Sequence, residues 1–585
     1  MLLSRGAFIA VQFLPRLYIL QSLACHSHAF SFQRSSLQST QVSFELFIGL
    51  CTPSITLVLL LAMAGQQVLL PIPDSVDTFV LGPTTDPDPS DTIATARLSP
   101  LQADRLNLTS WPFRSWPRHT PGWPEWLKRV SAAKRVQWEA SMIADCIELS
   151  LADPTPNKPL LQAISYFWSD GLNAFIFPCG ALGPTLLDVS MICSLSPKGH
   201  QPSAFDRTPL RHKLSCKIGW KSYMQQFVGP ADSPVSDREH VAFLNMWIEK
   251  FLLCGSSLGA TLSNQRLAEA LADGRPIAMA KVLLGHFYRM MHQIRCRLVT
   301  GLGDRTVGNI GGPLWFLQYW AYLYFARKPT SPVGYPFPAI DSTSQSYGEA
   351  VCRLEVEVEE TDDDEDDEFR HLCKLYLAHF YTLSVGKFQS PSFFVYSPLL
   401  FRRPSFCRLS FPLGADERDS YRYFASPCIL SVGLNSRNRS TPPSFEFYHP
   451  AVLARQLGFV QDVPLLILYH RLSPRQELSA NTVDSALHLA DDLLLPSVPS
   501  FSLIIRRTKE FCRWWDPIVA AFFETPVNEI LSACDPPKEA DSDVDILNIT
   551  PERTPKSPTS TSEVSTSSSS SSDSGSSQVL IWPVF

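Results

Sequence analysis

The sequence contains no pair of cysteines separated by two residues, although it has 14 cysteines in 585 residues. A disulfide scaffold concentrates its cysteines in a short chain, and a zinc module pairs them at close spacing. Here several cysteines stand alone in apolar stretches, as do Cys146, Cys193, Cys254 and Cys373. The pattern predicts reduced, mostly buried thiols in a protein of the nucleus or cytosol.

The chain also lacks a strong excess of charge of either sign. Its net charge is −6, and the run Glu355–Glu368 alone holds 11 carboxylates in 14 residues. Outside this run 50 basic residues face 45 acidic ones, which excludes a polybasic nucleic-acid-binding protein. The run is typical of a solvated loop. The alternative is a binding surface for a basic partner such as a histone tail.

Motifs for phosphate binding and for hydrolysis are incomplete. The glycine-rich stretch 301–312 lacks the Gly-Lys-Ser/Thr end of a phosphate loop and is predicted to be a connection. Gly255, Ser257 and Gly259 match the GxSxG string, but that motif needs a strand before the serine. The apolar run before it has aromatic residues at helical spacing, so we predict a helix end and a turn. Lys281 has no accompanying phosphate cup, which a pyridoxal enzyme requires.

A nuclease or transposase would need three carboxylates that converge on two metal ions. The candidates are Asp145, Asp188 and Glu239, and each occupies a position that a helix surface or a helix cap explains. Thr185 followed by Asp188 three residues later predicts a capping box. We therefore predict no catalytic, cofactor-binding or metal site, no cofactor and no enzymatic activity.

The first 62 residues allow two interpretations. Residues 46–64 carry no charge and are long enough to span a bilayer, but Pro53 lies in the middle of this segment. Met63 opens a sequence that resembles an ordinary soluble N-terminus. Cys25, His26 and His28 could hold a metal, yet no second pair of ligands accompanies them. We expect an upstream extension or targeting segment, with a membrane anchor as the alternative.

Apolar spacing predicts a mainly helical fold with a few short strands, split by an acidic loop and flanked by disordered ends. The chain should become structured at a tryptophan cluster, which comprises Trp111, Trp116, Trp123 and Trp126. Helices are predicted over 131–150, from Pro159 through Trp168, from Thr185, over 238–254, from Ser263 to Asp273, over 277–299, from Pro313, from about 369, over 477–494 and over 502–524. Extended segments are predicted at Phe175–Phe177 and around Leu465–Leu468, and loops over 389–445.

These elements divide the chain into six parts. They are a hydrophobic leader (1–62), a disordered leader (63–110), the first half of the folded domain (111–345), an acidic linker (346–370), the second half (371–533) and a disordered Ser/Thr-rich tail (534–585). Thr554 and Ser557 in the tail each neighbour a proline and suggest phosphorylation sites.

Seven segments, in order, resemble the plant mobile domain family, also called aminotransferase-like plant mobile domain or MAIN-like proteins. They are WPEWLKRV, LLQAISYFWSDGLNAFIFPCGALGPTLLDVSMICSLSPKG, FLNMWIEKFLLCGSS, RLAEALADGRPIAMAKVLLGHFYRMM, GGPLWFLQYWAYLYF, FYHPAVLARQLGFVQDVP and the pair Trp514–Trp515. Together they extend over roughly 110–530.

The resemblance implies a transposon-encoded protein or a host protein derived from one. Host members are nuclear, maintain meristems and genome stability, and silence transposons, some together with a phosphoprotein-phosphatase-like protein. We therefore expect a non-enzymatic nuclear protein that acts through protein partners, such as a phosphatase-like protein or chromatin factors. The alternatives are a cryptic nuclease or transposase, and a protein anchored in a membrane by residues 46–64.

Overall fold

The structure is a computed structural model that describes residues 115–202, 209–300, 310–325, 365–383, 423–432, 444–464 and 507–534, with a few single positions beside them. These residues are mostly helical and include a few short strands, so the predicted fold class is confirmed. The predicted leader segments, with Cys25, His26 and His28, and the tail with Thr554 and Ser557 lie almost wholly outside the described residues.

The elements follow one another as a helical body with two small antiparallel sheets. The helices are α1 Trp123–Ala140, α2 Ala144–Leu149, α3 Lys158–Ser165, α4 Leu186–Cys193, α5 Trp220–Phe227, α6 Asp237–Met246, α7 Gln265–Ala272, α8 Met279–Thr300, α9 Leu314–Tyr324, α10 Glu365–Tyr381, α11 Lys509–Phe522 and α12 Val527–Ala533. A π-helical turn, Trp247–Leu252, continues α6, and a 3₁₀ helix covers Pro450–Leu457. The strands are β1 Trp168–Ser169, β2 Ala174–Phe177, β3 Gly180–Leu182, β4 Cys428–Val432 and β5 Ser444–Tyr448.

The chain enters the fold through the predicted tryptophan cluster, whose four members are all buried. The single helix predicted over 131–150 is wrong, because two helices meet at Met142, whose φ is 54°. A left-handed residue cannot continue a right-handed helix. The turn allows Trp138 before it and Ile143 after it both to be buried.

The first sheet has the order β1-β2-β3, with Phe175 opposite Leu182 and Trp168 opposite Phe175. The extended segment predicted at Phe175–Phe177 is thereby confirmed. The helix that opens at Pro159 ends at Ser165 and not at Trp168, since the latter pairs in the sheet. All residues of the three strands are buried.

Helix α9 lies at the centre of the core, as predicted from its apolar residues on all sides. Every residue from Leu314 to Tyr324 is buried. The ring of Trp320 stacks on Phe175 of β2 at 5.4 Å between centroids. The predicted helix 277–299 corresponds to α8, whose Phe287 meets Phe316 of α9 edge-on at 5.9 Å. Such aromatic pairs contribute energy beyond the area that they bury.

The next two predicted helices are both present, and the second begins at a different residue. The helix predicted over 238–254 is present as α6 and its π-helical turn. The Ser263 cap predicted for the next helix is wrong, because Asn264 occupies the cap position and makes no side-chain cap hydrogen bond. The predicted stop after Asp273 is confirmed, with Gly274 in the left-handed region at a φ of 72°.

The second half contains strands where loops were predicted. β4 and β5 pair antiparallel, with Leu430 opposite Glu446, inside or next to the predicted loop stretch 389–445. Leu466 and Leu468 are in no strand, so the strand predicted there is not observed at these described positions. Helix α11 confirms the core of the helix predicted over 502–524, whereas 477–494 lies outside the described residues.

The acidic run ends inside a helix. α10 begins at Glu365, so its first turn consists of the last carboxylates of the run, and residues 355–364 lie outside the described part of the chain. Carboxylates are favourable in the first turn because the N-terminal end of a helix is partly positive.

Across the residues for which the structure gives positions, we find no helix with the combined length and hydrophobicity of a membrane span. The segment 46–64 is not among those residues.

Candidate functional site

Asp188 is a fully buried carboxylate with three hydrogen-bond donors. Its Oδ2 accepts from the backbone N–H and from the Oγ1–H of Thr185, both at 2.8 Å, while the Thr185 hydroxyl oxygen accepts from the Asp188 N–H at 3.1 Å. The predicted capping box is confirmed. The other carboxylate oxygen accepts from the Tyr324 hydroxyl at 2.7 Å. Asp188 therefore caps α4 and ties it to the end of α9.

The environment of Asp188 changes its acidity. Burial raises the pKa of Asp188 to about 6, and the hydrogen bonds from Tyr324 and Thr185 oppose part of that rise by stabilising the charged form. Perturbed carboxylates often mark active sites. Here the oxygens are occupied by donors from the fold itself, which favours a structural role.

Glu239 is held by an arginine and a tryptophan. Its Oε1 accepts from Arg129 Nε at 2.9 Å and from Trp126 Nε1 at 3.2 Å, which joins α6 to α1. Burial would raise the pKa of Glu239, but the hydrogen bonds from Arg129, the Gly229 N–H and Trp126 outweigh it, and the pKa is lowered. The carboxylate therefore stays charged at neutral pH and balances Arg129.

The three acids of the nuclease hypothesis do not come together. Asp145 lies half-buried on α2, Asp188 on α4 and Glu239 on α6, and among the described residues they do not form a group close enough to share a metal ion. Glu249, in the π-helical turn, is a buried acid that the sequence did not single out. It accepts from the Thr261 N–H at 2.8 Å and from the Thr261 hydroxyl at 2.5 Å.

The GxSxG string follows a helix, as predicted. Ser257 is exposed, and its hydroxyl donates to the Gly259 carbonyl at 2.8 Å within the turn. Gly312 donates its N–H to the Cys254 carbonyl at 2.8 Å, and a Cβ on Gly311 would come within 2.1 Å of the Ser256 nitrogen. The turn at 255–259 thus packs against Gly311 and Gly312. No strand leads into Ser257, so the geometry of a nucleophile elbow is not present here.

Lys281 belongs to the first turn of α8 and is half-buried. A separate cavity of about 20 Å³ lies between α2, the π-helical turn and α9. This is room for about one water molecule. It is lined mainly by apolar and aromatic residues, among them Cys146, Trp247, Phe251, Trp315 and Tyr319. A substrate or cofactor would not fit in it.

The most elaborate polar arrangement is a set of contacts between the first sheet and the second half of the chain, which we call the clasp. It consists of Arg455, Gln456, Trp515 and Asn173. Arg455 Nη1 donates to the Cys179 carbonyl at 2.8 Å, and Trp515 Nε1 donates to the Phe177 carbonyl at 3.3 Å. Asn173 Nδ2 donates to the Phe447 carbonyl at 3.0 Å.

Gln456 completes the clasp by a paired contact with a single residue. Its Nε2 donates to the Gly183 carbonyl and its Oε1 accepts from the Gly183 N–H, both at 2.9 Å. Next to it, Gly180 has a φ of 130°, and a Cβ there would lie 2.0 Å from Arg455 Nη2. Glycine is required here both for its conformation and for the close approach of the guanidinium group.

The charge of Arg455 is unusual for its position. The residue is 6% exposed, and burial lowers the pKa of Arg455 to about 10, so it remains protonated at neutral pH. Its hydrogen-bond partners in the described chain are carbonyl oxygens of the hairpin. Burying a charge costs free energy unless the charged group forms hydrogen bonds. The carbonyl oxygens of the β2–β3 turn accept these hydrogen bonds and so fix the position of the Arg455 side chain.

The structure also brings together a group that sequence reasoning missed. Asp170, in the turn after β1, and His292 and Cys296 on α8 place one possible ligand atom each within 4.8 Å of the others. The spacing of the histidine and the cysteine, four residues apart on a helix, is readable from the sequence. The approach of Asp170 depends on the packing of the sheet against α8 and has no local signal.

Comparison with protein families gives a match to one part of the helical body. The family model described as "Plant mobile domain" matches residues 143–371. The match includes the first sheet and helices α2–α9, while WPEWLKRV, the Arg455 segment and Trp514–Trp515 lie outside it. No curated protein and no solved structure matches the chain. Residues 143–371 therefore match the plant mobile domain, the family that the sequence segments resemble.

Proposed function

We propose that this chain is a non-enzymatic nuclear protein of the MAIN-like type that acts through protein partners in meristem maintenance, genome stability and transposon silencing. The match to the plant mobile domain is the observation that carries the proposal. The non-enzymatic part of the proposal is supported by the structural roles of two candidate catalytic acids, since Asp188 caps a helix and Glu239 binds Arg129. A phosphoprotein-phosphatase-like protein or chromatin factors are the partners we propose.

The proposal is tested by locating the chain and identifying what it binds. We expect a C-terminally tagged full-length chain and a second chain that begins at Met63 both to enter the nucleus. Mass spectrometry of the co-purified proteins should recover a phosphatase-like protein or chromatin factors. A full-length chain in membranes, with the shorter chain in the nucleus, would support the alternative based on residues 46–64.

The acidic run provides a control for partner binding. A variant in which the carboxylates of 355–364 become amides keeps the length of the chain and removes the charge. If basic chromatin proteins bind through this run, they should be lost from the co-purified set while other partners stay. Equal recovery with both chains would exclude the run as their binding surface.

We expect no cleavage of plasmid DNA by the purified chain in Mg²⁺ or Mn²⁺, because the described acids do not converge on a shared ion. The assay compares the chain with Asp188→Asn and Glu239→Gln, each checked for folding by circular dichroism. Metal-dependent cleavage that either folded variant abolished would replace the proposal with a nuclease or transposase function.

A further inference from the structure

Three side chains of different chemistry meet at the surface where the first sheet packs on α8. Asp170 Oδ2 lies 3.1 Å from His292 Nδ1, and Cys296 Sγ lies 3.6 Å from the same nitrogen. All three atoms are within 4.8 Å of one another. The aspartate and histidine side chains are 27% and 23% exposed, and Cys296 is exposed, so the group is open to solvent on one side.

The separation between the Asp170 oxygen and the His292 nitrogen is close to an edge of a coordination tetrahedron. Zinc–ligand distances of about 2.0–2.3 Å at tetrahedral angles place nitrogen and oxygen ligands about 3.3 Å apart, and nitrogen and sulfur ligands about 3.6 Å apart. The observed oxygen–nitrogen separation is 3.1 Å, whereas Cys296 Sγ lies 3.6 Å from Nδ1 and 3.5 Å from Nε2, against the imidazole ring and not beside the Nδ1 lone pair. An ion can therefore bind between Asp170 and His292, and the Cys296 sulfur has to move off the ring toward the ion to complete the site.

The positions of the ligands are fixed by contacts outside the group. Arg295, next to Cys296 on α8, donates from Nη1 to the Tyr166 carbonyl at 3.1 Å, which joins the helix to the chain just before β1. Trp168 of β1 packs against Phe287 and Tyr288 of α8, each with 5.8 Å between ring centroids. The turn that carries Asp170 is thereby held against the helix before any ion binds.

A cysteine–histidine–aspartate group could also be a nucleophile with its base, so the two readings must be separated. A general base takes the proton of a thiol through the lone pair of one ring nitrogen, which gives one short contact. Cys296 Sγ is instead almost equidistant from the two nitrogens of His292, at 3.6 Å from Nδ1 and 3.5 Å from Nε2. Asp170 approaches Nδ1. The thiol is therefore not aligned for proton transfer to either ring nitrogen.

We propose that Asp170, His292 and Cys296 form a site for a divalent transition-metal ion of the zinc type, with water as the fourth ligand on the exposed side. One carboxylate, one imidazole and one thiolate are a ligand set that zinc accepts, whereas magnesium and calcium prefer oxygen ligands alone. The ion ties α8 to the turn after β1. The site is independent of the proposed nuclear function.

The experiment uses the purified full-length chain freed of metal by a chelator and then titrated with Co²⁺ as a spectroscopic substitute for Zn²⁺. We expect one ion per chain, with the intense visible bands of tetrahedral cobalt and a near-ultraviolet charge-transfer band from the thiolate. Cys296→Ser should abolish the charge-transfer band. In competition with Zn²⁺, this variant should bind the metal at least roughly 100-fold more weakly than the unchanged chain. Loss of a residue that only supports a ligand weakens metal binding by about 10- to 100-fold, so loss of a ligand should reach or exceed the upper end of that range.

Controls separate this site from the other thiols of the chain. Cys216→Ser changes another exposed cysteine and should leave the cobalt spectrum and the affinity unchanged. Asp170→Asn and His292→Gln should each weaken binding while circular dichroism shows the fold retained. The proposal is overturned if Cys296→Ser binds as tightly as the unchanged chain, if Cys216→Ser abolishes the band, or if the unchanged chain binds no ion.

Discussion

Arg455→Ala is expected to lower the free energy of unfolding by about 4 kcal/mol, the largest effect of a single substitution that we predict. The loss has two causes. Truncation removes a charged donor from the carbonyls of Cys179 and Ala181, which are buried and then lack this partner. It also leaves a cavity beside Gly180, which fits closely around the guanidinium group. Urea unfolding followed by tryptophan fluorescence measures the change.

A matched control is available in the same half of the chain. Arg513 on α11 is 77% exposed and lies 3.6 Å from the exposed Glu510, so Arg513→Ala should change stability by no more than about 0.5 kcal/mol. Equal stability of the two variants would show that the clasp contributes nothing to the fold. A large loss at Arg455 alone would show that residues beyond the family match hold the matched hairpin in place.

That result bears on the extent of the folded unit. The family match ends at residue 371, inside α10, yet the hairpin of the matched region receives hydrogen bonds from Arg455, Gln456 and Trp515. Tyr381 on α10 also donates to the carbonyls of Phe523 and Thr525. The sequence segments that resemble the family extend to about residue 530. The contacts between the two halves show that the residues beyond the family match pack on the matched region.

Local signals in the sequence predicted the elements whose stability is local. The Thr185–Asp188 capping box, the Gly274 stop and the fully apolar α9 needed only neighbouring residues to be recognised. The predictions failed where distant contacts decide. Trp168 has helical spacing to Leu160 and Ile164 but lies in a strand because Phe175 pairs with it. Likewise β4 and β5 stabilise each other across a loop-like sequence.

The same distinction applies to the candidate sites. The sequence predicted correctly that Asp188 is a cap and that Ser257 follows a helix, since both depend on adjacent residues. It did not reveal Arg455 as a buried charge or Asp170 as a neighbour of His292. In each case the partner is more than a hundred residues away along the chain, and the approach is created by packing of the sheet.

Asp188 should make stability depend on pH in a direction opposite to that of most carboxylates. Burial raises the pKa of Asp188 in the folded chain to about 6, above its ordinary value of 3.8. At pH values between 3.8 and about 6, the Asp188 carboxyl is therefore protonated in the folded state and ionised in the unfolded state. This contribution to stability is complete below pH 3.8 and is lost as the pH rises through 6. Between pH 7 and pH 5 the chain gains about 1 kcal/mol from this group.

The measurement is the difference in unfolding free energy between the unchanged chain and Asp188→Asn, at pH 7 and at pH 5. Asparagine keeps the shape and cannot titrate, so the difference should grow by about 1 kcal/mol at pH 5 in favour of the unchanged chain. Glu239→Gln is the matched control. The pKa of Glu239 is lowered, so its contribution disappears only below the ordinary range of a carboxyl, and the corresponding difference should be the same at both pH values. A pH-independent difference for Asp188→Asn would mean that the carboxylate is charged throughout, with the Tyr324 and Thr185 donors fully compensating its burial.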